Sequence, residues 1–127
     1  MTNTDSLKSV TVIEETALQR LQELDPTGES HLVQNLIELF HKGTPEMLEK
    51  IRHSIHQNDL QAASKAAHAL RSSCTSLGAL RMAELCWRIE RNSSTISAQD
   101  LQRVADQLST EFNNACEELK KYSPPAS

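Results

Sequence analysis

Aromatic side chains are almost missing from this sequence: two Phe, one Trp and one Tyr in 127 residues. Glycine and proline are equally scarce, at three and four. All-β domains need many tight turns and many aromatic or β-branched residues, so these shortages leave helix as the expectation. No apolar run reaches the 18 residues that read as a membrane span, and the first 25 residues hold no apolar stretch of secretory-signal length. Positive charge is also in deficit. Thirteen Lys and Arg stand against 17 Asp and Glu, a net −4, which argues against a general binder of nucleic acid or of anionic membranes. Cys74, Cys86 and Cys116 are odd in number and far apart, which does not read as a disulfide framework and points to a reducing cytoplasm. The length suits one domain and leaves no room for two.

What is present is helical periodicity. Val10, Ile13, Ala17, Leu18, Leu21 and Leu24 form a stripe that ends in the turn Asp25-Pro26-Thr27-Gly28. Ser30 reads as the N-cap of a second helix carrying Leu32, Val33, Leu36, Ile37, Leu39 and Phe40, with Gly43 as its stop. Thr44-Pro45 reads as the cap and first position of a third helix, with Met47, Leu48, Ile51 and Ile55 facing inward. Asp59 is the expected N-cap of a fourth, whose seam Leu60, Ala63, Ala67, Leu70, Cys74 and Leu77 is unbroken up to Gly78. Leu80, Met82, Leu85, Cys86 and Ile89 line a fifth helix. Ser97 with Asp100 opens a sixth along Leu101, Val104, Ala105, Leu108, Phe112, Ala115 and Leu119. Short connections between amphipathic helices favour antiparallel neighbours. The expected fold is therefore all-α: an up-and-down antiparallel four-helix bundle with one or more additional N-terminal helices. The bundle is expected over residues 11–122, between a flexible N-terminus (1–10) and a disordered tail (123–127).

His68 lies off the fourth helix's seam, by about 130° at roughly 100° of rotation per residue, and so projects toward solvent. Its neighbours one turn away are Ser64, Lys65, Arg71 and Ser72, two small hydroxyl residues and two cations. A neutral imidazole is a competent nucleophile near pH 7, and a phosphoryl group carried on it is stabilised by cations and hydroxyl donors. Surface histidines beside Lys and Arg are commonly only solvated, but the surroundings here are asymmetric. Residues 50–91 hold seven cations against three acids, a local +4 that leaves −8 for the rest of the chain. Such a basic region suits an acidic docking partner.

The segment AAHALRSSCTSLGALRMAELCWRIE, residues 66–90, resembles the signature of histidine-containing phosphotransfer (HPt) domains. His68, Leu70, Ser73, Leu77, Gly78, Ala79, Met82, Cys86 and Glu90 occupy matching positions, with Ile89 in place of Leu. Upstream, Phe40, Pro45, Leu48, Ile51 and Asp59 match the family's preceding hairpin, and the resemblance spans roughly residues 16–120. It implies a phosphoryl carrier in a multistep His–Asp relay, with His68 taking the group from a receiver-domain aspartate and passing it to another receiver. It implies that Arg71 helps hold the phosphoryl group; Lys65, Ser64 and Ser72 are expected from their spacing to be further stabilising or docking residues. The chain is then no enzyme and binds no ATP or other cofactor, any Mg²⁺ residing on the receiver. The implied partners are the receiver domains of a hybrid sensor kinase and of a response regulator, with no nucleic acid and no membrane. A cytoplasmic monomer is expected. Two positions depart from the family pattern: Arg71 stands where Lys is usual and Ser72 where Gly is usual.

The alternative from another class is a helical adaptor that binds a signalling partner without phosphotransfer. No Gly-rich phosphate loop is present. His53 and His56 have an allowed metal-ligand spacing, but no neighbouring Cys or carboxylate completes a site, so no metal is expected. Cys74 and Cys86 read as small core residues. Trp87 reads as packing or as a docking anchor, and Glu90 as a cap or salt link rather than a catalytic acid.

Overall fold

The computed structural model describes residues 10–92 and 95–122; the expected N-terminal segment 1–9 and tail 123–127 lie outside them. The described residues form five helices: α1 Glu15–Glu23, α2 Leu32–His56, α3 Leu60–Leu77, α4 Leu80–Asn92 and α5 Ala98–Leu119, with a 3₁₀ turn at Lys120–Tyr122. No strand occurs among them. Helices α2 and α4 each lie against both α3 and α5, which closes a four-membered up-and-down bundle, and α1 packs on α2 and α3. No described helix is long and apolar enough to cross a membrane.

The helix ends follow local chemistry. Asp59 accepts a hydrogen bond from the Ala62 N–H at 3.2 Å, and Gly78 closes α3 at φ +76°, where a side chain would be strained. Ser97 caps α5 by accepting from the Asp100 N–H. Between them the seams of α3, α4 and α5 meet in one core: Ala63, Ala67, Leu70, Cys74, Leu85, Cys86, Ile89, Leu101 and Leu108 have no exposed surface. The neighbouring Cys74 thiol, and burial after it, push the Cys86 thiol well above the usual range, so it stays protonated as a core residue.

One expected break is absent. Gly43 does not stop a helix and Thr44-Pro45 does not start one; α2 runs through all three for 25 residues. Phe40, Thr44, Leu48, Ile51 and Ile55 form one buried stripe, and Phe40 meets Phe112 of α5 with ring centroids 5.5 Å apart. A proline inside a helix costs roughly 3 kcal/mol. Each large apolar side chain buried on the stripe returns about 1.5–3 kcal/mol. Continuous packing therefore outweighs the local breaker.

The start of α2 also differs from expectation. Ser30 is not its cap: His31 occupies the N-cap with φ 51° and no side-chain bond, while the Asp25 carboxylate accepts from the Ser30 and Leu32 N–H groups at 3.2 Å each. Leu24 and Leu39, placed on apolar stripes, are 75% and 67% exposed. Helix α1 ends before Leu24, and Leu39 sits one residue out of phase with the buried stripe.

At the same end of the bundle, the chain preceding α1 is lashed to the α3–α4 turn. The Glu14 N–H donates to the Gly78 carbonyl at 2.7 Å, and Arg81 Nε donates to the Val10 carbonyl at 2.7 Å. A Cβ at Gly78 would stand 2.6 Å from the Glu14 carbonyl oxygen. Only glycine permits that approach.

Candidate functional site

The α3 seam turns Ala67 and Leu70 fully inward and thereby turns His68 outward, its side chain 64% exposed. The ring is nonetheless held on one side. Its Nδ1 lies 2.7 Å from Oε1 of Glu90, which reaches across from α4 and is itself only 16% exposed. Arg71 grips the same carboxylate, donating from Nε to Oε2 at 2.5 Å and from Nη2 to Oε1 at 3.4 Å. Nη2 also stands 3.4 Å from His68 Nδ1.

This geometry selects a tautomer. A neutral nitrogen facing a carboxylate at 2.7 Å must present its proton, because two lone pairs would repel. Nδ1–H therefore donates to Glu90, and in the neutral ring the lone pair is on Nε2. No described side chain engages Nε2. An imidazole held in this way can attack an electrophile through Nε2, while Glu90 stabilises the positive charge that develops on the ring.

Two of the other expected site residues, Ser64 and Ser72, lie one turn from His68 on α3 with their hydroxyls spent on backbone carbonyls. Ser64 donates to the Glu90 backbone carbonyl at 3.5 Å, tying α3 to α4. Ser72 donates back to the His68 carbonyl at 3.4 Å. Lys65 is exposed one turn before the histidine. Much of the basic stretch is spent on internal pairs. Arg52 bonds Asp106, Arg71 bonds Glu90, Arg81 bonds Glu111 and Arg88 bonds Glu84. Among the described residues this leaves Lys50, Lys65 and Arg91 without a carboxylate partner, and Arg91 lies 5.2 Å over the Trp87 ring.

Two grooves border α3 on the C-terminal side of His68, which lines neither. Leu36, Leu39, Phe40 and Met47 of α2 line an apolar groove with Ser73 and Ser76, which follow Ser72 along α3. On the opposite side, Trp87, 40% exposed, shares a groove with Arg71, Thr75 and Ala83. The remaining histidines are elsewhere. His41 Nδ1 meets Cys116 Sγ at 3.5 Å, and His53 and His56 are exposed near the end of α2. No group of three His, Cys, Asp or Glu able to hold a metal occurs among the described residues.

Glu90 is the salt link that the sequence reading allowed, but its partners, Arg71 and His68, are what sequence reasoning missed. Glu90 lies 22 positions from His68, beyond the reach of helical spacing, and only the α3–α4 hairpin brings the two together. The available signal was its place in the matched motif.

A family model for the Hpt domain matches residues 35–121. No curated protein matches the chain. Among solved structures, histidine-containing phosphotransfer protein B (HptB) from Pseudomonas aeruginosa PAO1 shares the fold with a TM-score of 0.76 at 21% identity, over 87% of this chain and 93% of that one.

Proposed function

We propose, from the premise that this chain belongs to the Hpt domain family and is a phosphoryl carrier of a phosphorelay, that His68 is the residue that accepts the group. Hpt proteins are carriers rather than kinases, and they interact with receiver domains. In this reading the Nε2 lone pair attacks the phosphorus of a receiver's aspartyl phosphate. The N–P bond forms, the P–O bond to aspartate breaks, and the carboxylate leaves with the electron pair. The ring gains positive charge while its Nδ1–H stays on Glu90. Attack by a second receiver's aspartate reverses the step.

The 2.7 Å bond between Nδ1 and Glu90 on an otherwise open ring carries this reading, because it leaves one nitrogen free and orients it. Lys65 supplies positive charge for the transferred oxygens, and the small Ser64 and Ser72 leave room for the visiting domain. The groove of Leu36, Leu39, Phe40 and Met47, which meets α3 at Ser73 and Ser76, gives that domain an apolar footing. Neutralisation of the phosphoryl charge by Mg²⁺ belongs to the receiver in this proposal. The upstream partner is the receiver of a hybrid sensor kinase and the downstream one that of a response regulator. The chain works as a cytoplasmic monomer without an ATP site.

Incubation with a phosphorylated receiver tests the reading. Wild type is expected to gain an acid-labile, base-stable label that His68→Gln lacks. Binding of several receivers with no label on wild type would establish an adaptor instead.

A further inference from the structure

The family resemblance gives the cation three residues after the histidine the task of holding the phosphoryl group. The geometry points to a different task for Arg71: we propose that it acts on His68 through Glu90, as a positioning residue that fixes the carboxylate which in turn fixes the ring. The proposal rests on His68 being the acceptor and concerns how that acceptor is prepared.

Three observations carry it. First, the guanidinium is committed. Nε and Nη2 both donate to the Glu90 carboxylate, at 2.5 and 3.4 Å, the two-point grip for which a planar fork is suited. Second, Arg71 stands on the wrong side of the ring for a phosphoryl clamp. Nη2 lies 3.4 Å from Nδ1, whereas the group is carried on Nε2, and the Nδ1–H bond and the Nε2 lone pair point in divergent directions. Third, Glu90 is held from α3 at three points: Ser64 on its backbone carbonyl, and His68 and Arg71 on its carboxylate. Only Arg71 spans both carboxylate oxygens, which removes the side chain's freedom to rotate away from the ring.

The same geometry explains a departure from the family pattern. A lysine ammonium is a compact point charge and lacks the planar fork that bridges two carboxylate oxygens. Arginine at position 71 is therefore matched to glutamate at position 90. The pair is internally neutral, so Arg71 adds little net charge at Nε2, and the exposed Lys65 is left as the cation for the incoming group.

The test uses Arg71→Ala, Arg71→Lys, Glu90→Ala and the double variant Arg71→Ala/Glu90→Ala, each checked for an unchanged helical spectrum. Long-range ¹H–¹⁵N spectra of the unphosphorylated protein report which His68 nitrogen carries the proton. Phosphoramidate, a small donor that needs no docking surface, reports reactivity: the N–P bond forms at Nε2 as the donor's P–N bond breaks and ammonia leaves. Both single alanine variants are expected to shift His68 toward the Nε2–H tautomer and to slow labelling about tenfold, the usual scale for a supporting partner. The double variant should be less than about twofold slower than Glu90→Ala, since the two act as one unit. Lysine at position 71 should behave like alanine.

A wild-type tautomer balance in Arg71→Ala, an undiminished Arg71→Ala effect in the Glu90→Ala background, or full rescue by lysine would each overturn the proposal in favour of direct phosphoryl contact. Failure of the underlying reading looks different: wild type would take no label from phosphoramidate or from receivers, whatever the tautomer spectra show.

Discussion

Three glycine-to-alanine substitutions separate backbone strain from steric contact in this bundle. At Gly43, inside α2, an added Cβ meets nothing within 4 Å. Alanine there removes the entropic penalty of a helical glycine and should stabilise by about 0.5–1 kcal/mol. Gly28 also faces open space but has φ +75°. The left-handed conformation alone should cost alanine about 1 kcal/mol. Gly78 adds contact to strain. With φ +76°, its Cβ would sit 2.6 Å from the Glu14 carbonyl oxygen, 3.0 Å from the Glu14 nitrogen and 3.1 Å from the Ala17 Cβ. Two of those atoms are backbone and cannot swing aside. The chain before α1 must therefore retreat, which weakens the Glu14-to-Gly78 hydrogen bond and loosens the burial of Ile13 and Leu18. Strain, bond and lost burial together come to roughly 3 kcal/mol. At about 4 °C per kcal/mol for a domain of this size, the melting temperature should rise about 3 °C in Gly43→Ala, fall about 4 °C in Gly28→Ala and fall about 12 °C in Gly78→Ala. Circular dichroism melts of the three variants decide the matter. Equal losses at positions 28 and 78 would refute the close approach of Glu14 to the α3–α4 turn.

Other consequences can be checked as directly. His68→Gln should melt within about 2 °C of wild type, since substitutions at exposed sites change stability by about 0.5 kcal/mol or less; a larger loss would make the histidine a structural residue. Ser72→Gly should speed transfer from receivers several-fold while leaving the phosphoramidate rate unchanged. Equal receiver rates and affinities would leave Ser72 without a steric role. Because folding raises the Cys86 thiol pKa, chiefly through the Cys74 thiol and burial, the unfolded chain loses that proton first as pH rises. Stability should be constant below the unfolded thiol pKa of about 8.5 and fall above it by at most about 1.4 kcal/mol per pH unit. Urea titrations from pH 8 to 10.5 should show that extra slope in wild type and not in Cys86→Ala.

The parts of the fold that were legible in the sequence are those written in local spacing. The seam from Leu60 to Leu77 alternates steps of three and four, and Asp59 and Gly78 mark its ends, so α3 and the outward place of His68 could be read without coordinates. Gly43 and Pro45 misled because they are strong local signals, while the evidence against them, a stripe of Phe40, Thr44, Leu48 and Ile51 that keeps its phase through the breakers, has meaning only when a neighbouring helix covers it. Asp25 capping the start of α2 is invisible for a related reason: the carboxylate reaches Leu32 across a loop of seven positions. Counting charges overstated the basic region, since Arg52 finds Asp106 and Arg81 finds Glu111 only after the bundle closes. Glu90 is the sharpest case, because a contact between two helices has no periodicity to betray it.

The grip on Nδ1 leaves the imidazole a single working nitrogen under a single open hemisphere. With His68 as the proposed acceptor, phosphorylated donor and empty acceptor are expected to occupy the same seat in turn, never together. Steady-state transfer should follow ping-pong kinetics, with parallel double-reciprocal lines and competitive inhibition by surplus unphosphorylated receiver. The traffic through such a carrier would depend on how quickly each visitor vacates its place as much as on the chemistry of the transfer.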